Sequence, residues 1–424
     1  MELISNPPRD TWRSLCERNI PDDADIENAV CEIISQVKSE GDGALLSFAK
    51  KFDKYEGDSL LVSQAEIDQR AALVSPQVAK AIESAAKNIS KFHKAQIPAP
   101  VEIETTPGVR CIQRAVPISR VGLYIPGGRA PLFSTVLMLA IPASIAGCKE
   151  IILCTPEGPG GIAPEILFAA KLCGIHKVFR IGGAQAIAAM ALGTESVPPV
   201  HKIFGPGNRF VTKAKQILSR VAAIDMPAGP SEVMVLADES ANPSFVAADM
   251  LSQAEHGPDS QAIALCSSAT LAQKVMSEVE RLADMLPRRD SIEGSLSHSR
   301  IITLPSIEEM TAFANEYAPE HLIISMNDPW KIAAEISAAG SVFIGNYSPE
   351  SAGDYASGTN HTLPTSGWAR SFSGVNIDSF MHKITYQELS QEGLDRLSSV
   401  ITAMAHAEGL DAHALAVDIR LKNI

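Results

Sequence analysis

The sequence predicts an α/β fold made of two parallel-sheet units, with small helical segments at the amino and carboxyl ends. Short β-branched runs alternate with helical stretches from about residue 148 to 207, and the alternation recurs from 231 to 346. Apolar residues at helical spacing fill the beginning and the end of the chain. Strands that alternate with helices are typical of parallel sheets joined by right-handed crossovers.

The first series forms a strand–helix–strand–helix–strand unit. Its helix PEILFAAKLCG closes at Gly174, where glycine can adopt the left-handed conformation that ends helices. The other predicted helix is AQAIAAMALG, and the predicted strands are KEIILCT, HKVFRIGG and HKIFGPG.

The second series begins with the strand SEVMVLAD. Asn242 can cap the helix that follows, Pro243 suits its first turn, and the pair Gly257 and Pro258 ends it. The later strands are QAIALC, RIITL, HLIISM and SVFIGN, separated by helices over 270–286, 306–317 and 329–339.

Helical segments flank these two units. Apolar spacing predicts helices over 26–48 and 75–93, and again after Gly374 in YQELSQEGLDRLSSVITAMAHAEGLDAHALAVDIRL. This carboxyl-terminal tail is too short to bury a core of its own, so we expect it to pack on another domain or another subunit.

Composition and charge exclude several classes of partner. The chain has 424 residues, which indicates two or more domains, and its 36 basic and 49 acidic residues give a net charge of −13 without a basic patch. Nucleic acid and anionic membranes are therefore not expected as partners, and no apolar run is long enough to span a bilayer. The 7 cysteines include no CxxC pair, which favours reduced thiols and a cytoplasmic location.

Gln253 and His256 are candidates for a metal site. They stand three residues apart at the end of a predicted helix, in LSQAEHGPDSQ, so both project from one face. A solvated or hydrogen-bonded pair remains the plain alternative for a Q-x-x-H pattern.

Glu320 and His321, in YAPEHLI, are candidates for acid–base work. They stand where a loop enters a strand, and adjacent residues of an extended segment point to opposite sides, so we expect them to do different jobs. A surface pair that opens a strand is the alternative.

Asp354 and His361 are ligand-type residues in the polar segment 349–370, which follows the strand SVFIGN and predicts a ligand-binding edge. Asp354 could instead cap a turn and His361 could bond backbone carbonyls. His413, in the tail, gains a role only where the tail docks on an active site.

Three glycine-containing turns are candidates for nucleotide binding. They are GLYIPGGRA, IGGAQAI and FGPGNRFV, of which the last two lead from predicted strands into predicted helices. The pattern G-x-G-x-x-G is absent, so the residues alone support a dinucleotide site only in part.

Six of these segments together resemble histidinol dehydrogenases, from about Asp25 to the carboxyl terminus. They are SQAEHGPDSQ, YAPEHLI, ESAGDYASGTNHTLPT, GPGNRFVTKAK, DMPAGPSEV and GLYIPGG. The resemblance implies a zinc enzyme that oxidises L-histidinol through histidinaldehyde to L-histidine with two NAD molecules, in the last step of histidine biosynthesis.

The resemblance also implies residue roles. One zinc per subunit would be held by Gln253, His256, Asp354 and His413, and would orient the substrate. Glu320 and His321 would be the catalytic pair. NAD would contact Tyr124, Gln185 and Asn208. The substrate would contact His321 and the four zinc ligands, and also Ser231, His361 and Glu408.

For the fold, the resemblance implies two incomplete Rossmann-like domains in a homodimer with shared sites. Residues 1–24 would form a helical segment. Residues 25–125 with 233–374 would form the first domain, which carries most of the active site, and 126–232 would form the NAD-binding second domain. The tail, 375–424, would complete the partner's site.

Three other functions remain as alternatives. A related zinc and NAD dehydrogenase of another small polar alcohol would keep the same residues. A zinc hydrolase would use Glu320 to activate water and would turn over without NAD. A binding protein without catalysis would leave the His, Asp and Glu residues without a common purpose.

Overall fold

The computed structural model describes residues 1–18, 24–127, 131–227 and 229–422. It confirms the predicted α/β fold with two parallel sheets, and adds a small antiparallel sheet. The strands are β1 (Glu2–Ser5), β2 (Val101–Thr106), β3 (Val109–Pro117), β4 (Arg120–Tyr124), β5 (Glu150–Thr155), β6 (Lys177–Arg180), β7 (Lys202–Phe204), β8 (Ala223–Ile224), β9 (Glu232–Ala237), β10 (Gln261–Cys266), β11 (Arg300–Thr303), β12 (His321–Ser325), β13 (Ser341–Ile344) and β14 (Met381–Leu389).

Helices cover both faces of the parallel sheets. They are α1 (Trp12–Leu15), α2 (Ala24–Glu40), α3 (Asp42–Phe48), α4 (Gln64–Ala71), α5 (Pro76–Lys94), α6 (Phe133–Ala146), α7 (Pro164–Leu172), α8 (Gly183–Leu192), α9 (Arg209–Leu218), α10 (Pro243–Ala254), α11 (Ala269–Ala283), α12 (Arg289–Leu296), α13 (Ile307–Tyr317), α14 (Pro329–Ala333), α15 (Glu350–Tyr355), α16 (Gln391–Ala407) and α17 (Asp411–Lys422). Within the described ranges, no helix combines the length and apolar character needed to cross a membrane.

The first sheet has the strand order β1-β11-β10-β9-β12-β13, with every pair parallel. Its central strands are buried on both faces, which explains their nearly continuous apolar sequences. Val233 and Val235 face a core that includes α10 and α11, whereas Met234 and Leu236 face a second core that includes α13.

The second sheet has the order β6-β5-β4-β7-β8, again all parallel. The first strand of this sheet, β4, lies between β5 and β7, so the chain winds in opposite directions on its two sides. The crevice beyond the carboxyl end of such a strand is the usual ligand site of an open α/β sheet.

The third sheet is antiparallel and joins distant parts of the chain. The tail strand β14 pairs with β3 along its whole length, and β3 pairs with β2. Residues 382–389 of β14 are exposed, and their apolar alternation is limited to Ile384 and Tyr386.

Four predictions of local structure and grouping are wrong. Residues 2–5 of the predicted helical segment form β1, and the YQEL of the predicted helical tail ends β14. Helix α14 ends at Ala333, six residues before its predicted end. Helix α2 and strand β4 belong to the second sheet and its core, although 25–125 was assigned to the first domain.

Candidate active site

The candidate active site is a pocket of about 130 Å³ between the two parallel sheets. The second sheet contributes the loops after β7 and β8, at the carboxyl ends of its strands. The first sheet contributes the opposite ends of its strands, since Ser231 precedes β9 and His321 begins β12. The prediction that the ligand edge of the first sheet follows SVFIGN is therefore wrong, because the chain returns through α15 to the amino edge. The lining residues include Ser134, Thr135, Gly205, Ser231, Gln253, His256, Glu320, His321, Asp354, Tyr355 and His361.

His321 has a defined orientation at the start of β12. Its Nδ1 lies 3.1 Å from the carbonyl oxygen of Glu232. A carbonyl only accepts, so Nδ1 carries a proton and donates it. The other ring nitrogen, Nε2, is buried without a hydrogen-bond partner in the described structure and lies 3.6 Å from Asp354 Oδ1. In the neutral imidazole, Nε2 is thus the proton acceptor.

Three carboxylates surround this imidazole. Glu320 Oε2 and Glu350 Oε1 lie 3.6 and 3.9 Å from His321 Nδ1, and Asp354 faces Nε2. Burial opposes the charged imidazolium, but the carboxylates of Glu350, Glu320 and Asp354 outweigh it and raise the pKa of His321 to about 10. The cluster therefore attracts a positive charge.

Glu320 reaches the same pocket as His321. It lies just before β12, and its carboxylate lies 3.6 Å from His321 Nδ1, so the two neighbouring side chains line one pocket. Its Oε2 accepts a hydrogen bond of 2.8 Å from the backbone N–H of Glu232. Burial raises the pKa of Glu320 to about 7, a value suited to a general base.

A metal-type group forms the wall next to His321. One ligand atom each from His256, Glu350 and Asp354 lies within 4.8 Å of the others. Two atoms bound to one zinc ion are at most about 4.2 Å apart, so small movements would suffice to bind it. Imidazole and carboxylate donors suit zinc, and the excess of buried carboxylates needs a cation, so the residues fit a metal ion.

Sequence reasoning missed Glu350 and Glu232. Glu350 begins α15 four residues before Asp354, a spacing that places both carboxylates on one helix face and could have revealed it. Glu232 acts through its backbone N–H and carbonyl, which no residue pattern reports.

His361 is held by the protein on both sides of its ring. Its Nδ1 lies 2.9 Å from the carbonyl oxygen of Asp354, and its Nε2 lies 3.1 Å from Thr135 Oγ1. Nδ1 therefore donates, and Thr135 donates to Nε2. Burial lowers the pKa of His361, which agrees with this neutral form.

Glu408 and His413 do not reach the pocket within one chain. Both are exposed on the tail, at the end of α16 and in α17. The tail also exposes apolar side chains, among them Val400, Met404 and Leu415. His256, on the pocket wall, is exposed as well.

The predicted NAD residues lie at the carboxyl edge of the second sheet. Tyr124 ends β4 and its hydroxyl accepts from the N–H of Gly183, at the start of α8. Gln185 is buried in the first turn of α8, and Asn208 caps α9 by accepting from the N–H of Val211. Part of GLYIPGGRA, residues 128–130, lies outside the described residues.

Two backbone features of this edge fit a dinucleotide. Gly182 is the N-cap of helix α8 and no side chain caps the helix, so the N–H groups that follow that of Gly183 can face a phosphate. Gly205 has φ of +122°, and a Cβ there would lie 2.0 Å from the carbonyl oxygen of Tyr124. Only glycine permits this close approach of the loop after β7 to β4.

The comparisons with known proteins agree over the full length. The profile of the histidinol dehydrogenase family matches residues 16–421. A histidinol dehydrogenase of Bacteroides fragilis strain YCH46 is 54% identical over 426 residues, with 100% of both chains covered. One of Vibrio parahaemolyticus serotype O3:K6 is 50% identical over 425 residues, covering 97% of this chain and 98% of its own. The crystal structure of a histidinol dehydrogenase from Elizabethkingia anophelis matches with a TM-score of 0.98 and 51% identity, over 100% of this chain and 98% of the other.

The fold and the pocket define an α/β enzyme with a buried Glu–His pair beside a group suited to a metal ion. The full-length similarity then makes the assignment specific. The chain belongs to the histidinol dehydrogenase family, which confirms the resemblance that the six sequence segments carry.

Proposed function

We propose that this protein oxidises L-histidinol through histidinaldehyde to L-histidine with two NAD molecules, the last step of histidine biosynthesis. The observation that carries the proposal is the pair Glu320 and His321, held next to a metal-type ligand group in a pocket between two parallel sheets. Membership of the histidinol dehydrogenase family supports the substrate. We further propose a cytoplasmic location, since all seven cysteines are free thiols.

Zinc, one ion per subunit, is the proposed metal. Gln253, His256 and Asp354 would hold it from one chain, and His413 from the tail of another. When bound, zinc supplies a fixed attachment point for the imidazole and amino groups of the substrate, and its positive charge opposes protonation of His321.

His321 is the proposed base of the first oxidation. Its Nδ1–H donates to the Glu232 carbonyl, so in the neutral ring its Nε2 carries the lone pair, on the side that faces Asp354. Nε2 takes the proton of the substrate hydroxyl as the carbinol carbon loses its hydride and becomes the aldehyde carbon. NAD supplies the acceptor for the hydride in this and the following oxidation.

Glu320 is the proposed base of the second oxidation. Its carboxylate takes a proton from a water molecule as the water oxygen adds to the aldehyde carbon, while the Nε2–H of His321 returns its proton to the aldehyde oxygen, which gives the hydrate and frees Nε2 again. The Nε2 of His321 then takes the proton of a hydrate hydroxyl as the second hydride leaves and the carboxylate product forms. Retaining the aldehyde in the pocket between the two steps prevents its escape.

The remaining proposed contacts are those with the substrate in the pocket and with NAD next to it. Ser231 and His361 line it and would contact the substrate, together with Glu408 of the tail. Tyr124, Gln185 and Asn208 would contact NAD at the carboxyl edge of the second sheet, where nucleotides bind in open α/β folds.

A homodimer with shared active sites is part of the proposal. Glu408 and His413 are exposed on a tail whose apolar side chains are also exposed, and His256 is exposed on the pocket wall of the same chain. A partner's tail laid over the pocket would cover both surfaces and bring the missing ligand.

The amount of NADH formed per L-histidinol consumed, with and without a zinc chelator, tests the function. We expect two NADH per substrate, loss of activity with the chelator and recovery with added zinc. Turnover of another small alcohol but not of L-histidinol would assign the related dehydrogenase. Hydrolysis without NAD would assign the zinc hydrolase.

A further inference from the structure

Glu350 is a buried carboxylate at the centre of the site that the proposed mechanism does not use. It is 1% exposed and lies at the first position of α15, on the same helix face as Asp354. Its side chain lies against the amide of Gln253 and 3.9 Å from His321 Nδ1.

The contact with Glu350 determines which end of the Gln253 amide faces which neighbour. With its nitrogen toward Glu350, Gln253 donates to both carboxylate oxygens, at 3.0 Å to Oε2, and its oxygen lies 3.1 Å from the backbone N of Glu232. The reverse orientation would set the amide oxygen against the carboxylate and the amide nitrogen against an N–H donor. A carboxylate accepts only, so the reverse orientation loses both contacts.

We propose that Glu350 is a positioning residue that holds the Gln253 amide with its oxygen, and not its nitrogen, available to the metal. An amide oxygen has two lone pairs, so it can share the Glu232 N–H with Glu320 and still offer a ligand to a cation, whereas an amide nitrogen offers none. This inference rests on the proposed metal site.

Glu350 differs in this role from a direct ligand, although it belongs to the metal-type group. Both of its oxygens face the Gln253 nitrogen, so one acceptor site of each oxygen is used to orient the amide. Partners that orient a metal-binding side chain through hydrogen bonds typically change metal affinity by about 10- to 100-fold when removed.

The test measures zinc affinity of the metal-free full-length protein by competition with a fluorescent zinc chelator. The variants are Glu350→Gln, Glu350→Asp, Gln253→Ala and the double variant Glu350→Gln with Gln253→Ala. The control is Glu335→Gln, which neutralises an exposed carboxylate in the same α/β unit. Glutamine at 350 keeps the shape but can also donate, so it no longer selects one orientation of the Gln253 amide.

We expect Glu350→Gln to weaken zinc binding about 10-fold or more, Glu350→Asp to weaken it less, and Glu335→Gln to leave it unchanged. In the Gln253→Ala background, Glu350→Gln should have no further effect, because the residue acts through Gln253. An undiminished effect in that background would assign direct ligation and overturn the proposal, as would a Glu350→Gln protein that binds zinc as the parent does.

Two further outcomes remain interpretable. If Glu350→Gln does not fold, Glu350→Asp with and without Gln253→Ala repeats the comparison, and equal effects in both backgrounds overturn the proposal. A parent protein that binds no zinc would overturn the proposed metal site itself, which distinguishes that failure from the failure of the role of Glu350.

Discussion

The Nδ1 of His321 lies 3.1 Å from the carbonyl oxygen of Glu232, whose own N–H donates to Glu320 at 2.8 Å. One backbone unit at the start of β9 thus orients both members of the proposed catalytic pair. The parallel register that pairs His321 with Val233 sets this relationship. The contacts are made by the main chain of Glu232, while its side chain is held by Arg18.

Glu320→Gln should keep zinc and the first oxidation but slow the second. The amide cannot take a proton from water, so we expect the oxidation of added histidinaldehyde to fall by about 10²- to 10⁴-fold. Stopped-flow NADH formation from histidinol and from histidinaldehyde separates the two steps, with Glu335→Gln as the control. Loss of zinc from Glu320→Gln would show that the role assigned to Glu320 is wrong.

The second oxidation should depend on pH through Glu320. Burial raises the pKa of this carboxyl to about 7, and the ionised form is the working base. The rate of histidinaldehyde oxidation should therefore rise with pH through about 7 and level off above it. The same profile measured on Glu320→Gln should lack this rise, and an unchanged rise would assign the titration to another group.

The shared sites can be tested by complementation. His256→Ala and His413→Ala should each lose zinc and activity. When the two variants are refolded together in equal amounts, half of the dimers contain one chain of each. Each mixed dimer has one intact site out of two, so about a quarter of the parent activity should return. Return of no activity, with mixed dimers shown by native mass spectrometry, would mean that both residues serve the site of their own chain.

Arg18→Ala should destabilise the protein and disturb the site. Arg18 donates to both oxygens of Glu232 at 3.0 Å and lies 3.7 Å from the ring centroid of Tyr317. Removal of Arg18 leaves the Glu232 carboxylate, which is 2% exposed, without its cation. We expect this to lower the free energy of unfolding by about 3 kcal/mol. Urea unfolding and kcat measure the two effects. Exposed Arg13→Ala is the control, and equal stability of the two variants would contradict this role of Arg18.

Asp53→Asn should stabilise the protein at pH 8 but not at pH 4. Burial raises the pKa of Asp53 from 3.8 to about 6, so its contribution to stability is present below pH 3.8 and is lost as the pH rises through 6. The neutral amide avoids this loss. Because Asp53 is only partly buried, we expect Asp53→Asn to raise the free energy of unfolding at pH 8 by about 1 kcal/mol. This corresponds to a rise of about 2 °C in the unfolding midpoint. Calorimetry of both proteins at pH 4 and pH 8 measures the unfolding midpoints. An equal shift at the two pH values would show that the raised pKa of Asp53 is not the cause.

Local patterns predicted the elements that are buried and regular. The strands β9, β10 and β12 are apolar on both faces, and Asn242 caps α10 as expected by accepting from the N–H of Ser244. The exposed strand β14 offered no such pattern, and its YQEL was mistaken for helix. Strand β1 is short and lies at the edge of its sheet, where it pairs with β11, a strand distant in sequence.

The sequence by itself determined the fold class, the family and the residue types of the site, because strand and helix periodicities and short motifs are local properties of the chain. Only the tertiary structure decided that the pocket lies at the amino ends of β9 and β12, and that Glu350 lies against Gln253. These contacts depend on strand register and on the path of α15, which arise from packing between distant segments. For the same reason, one chain leaves His413 exposed and away from the site that its residue type suits.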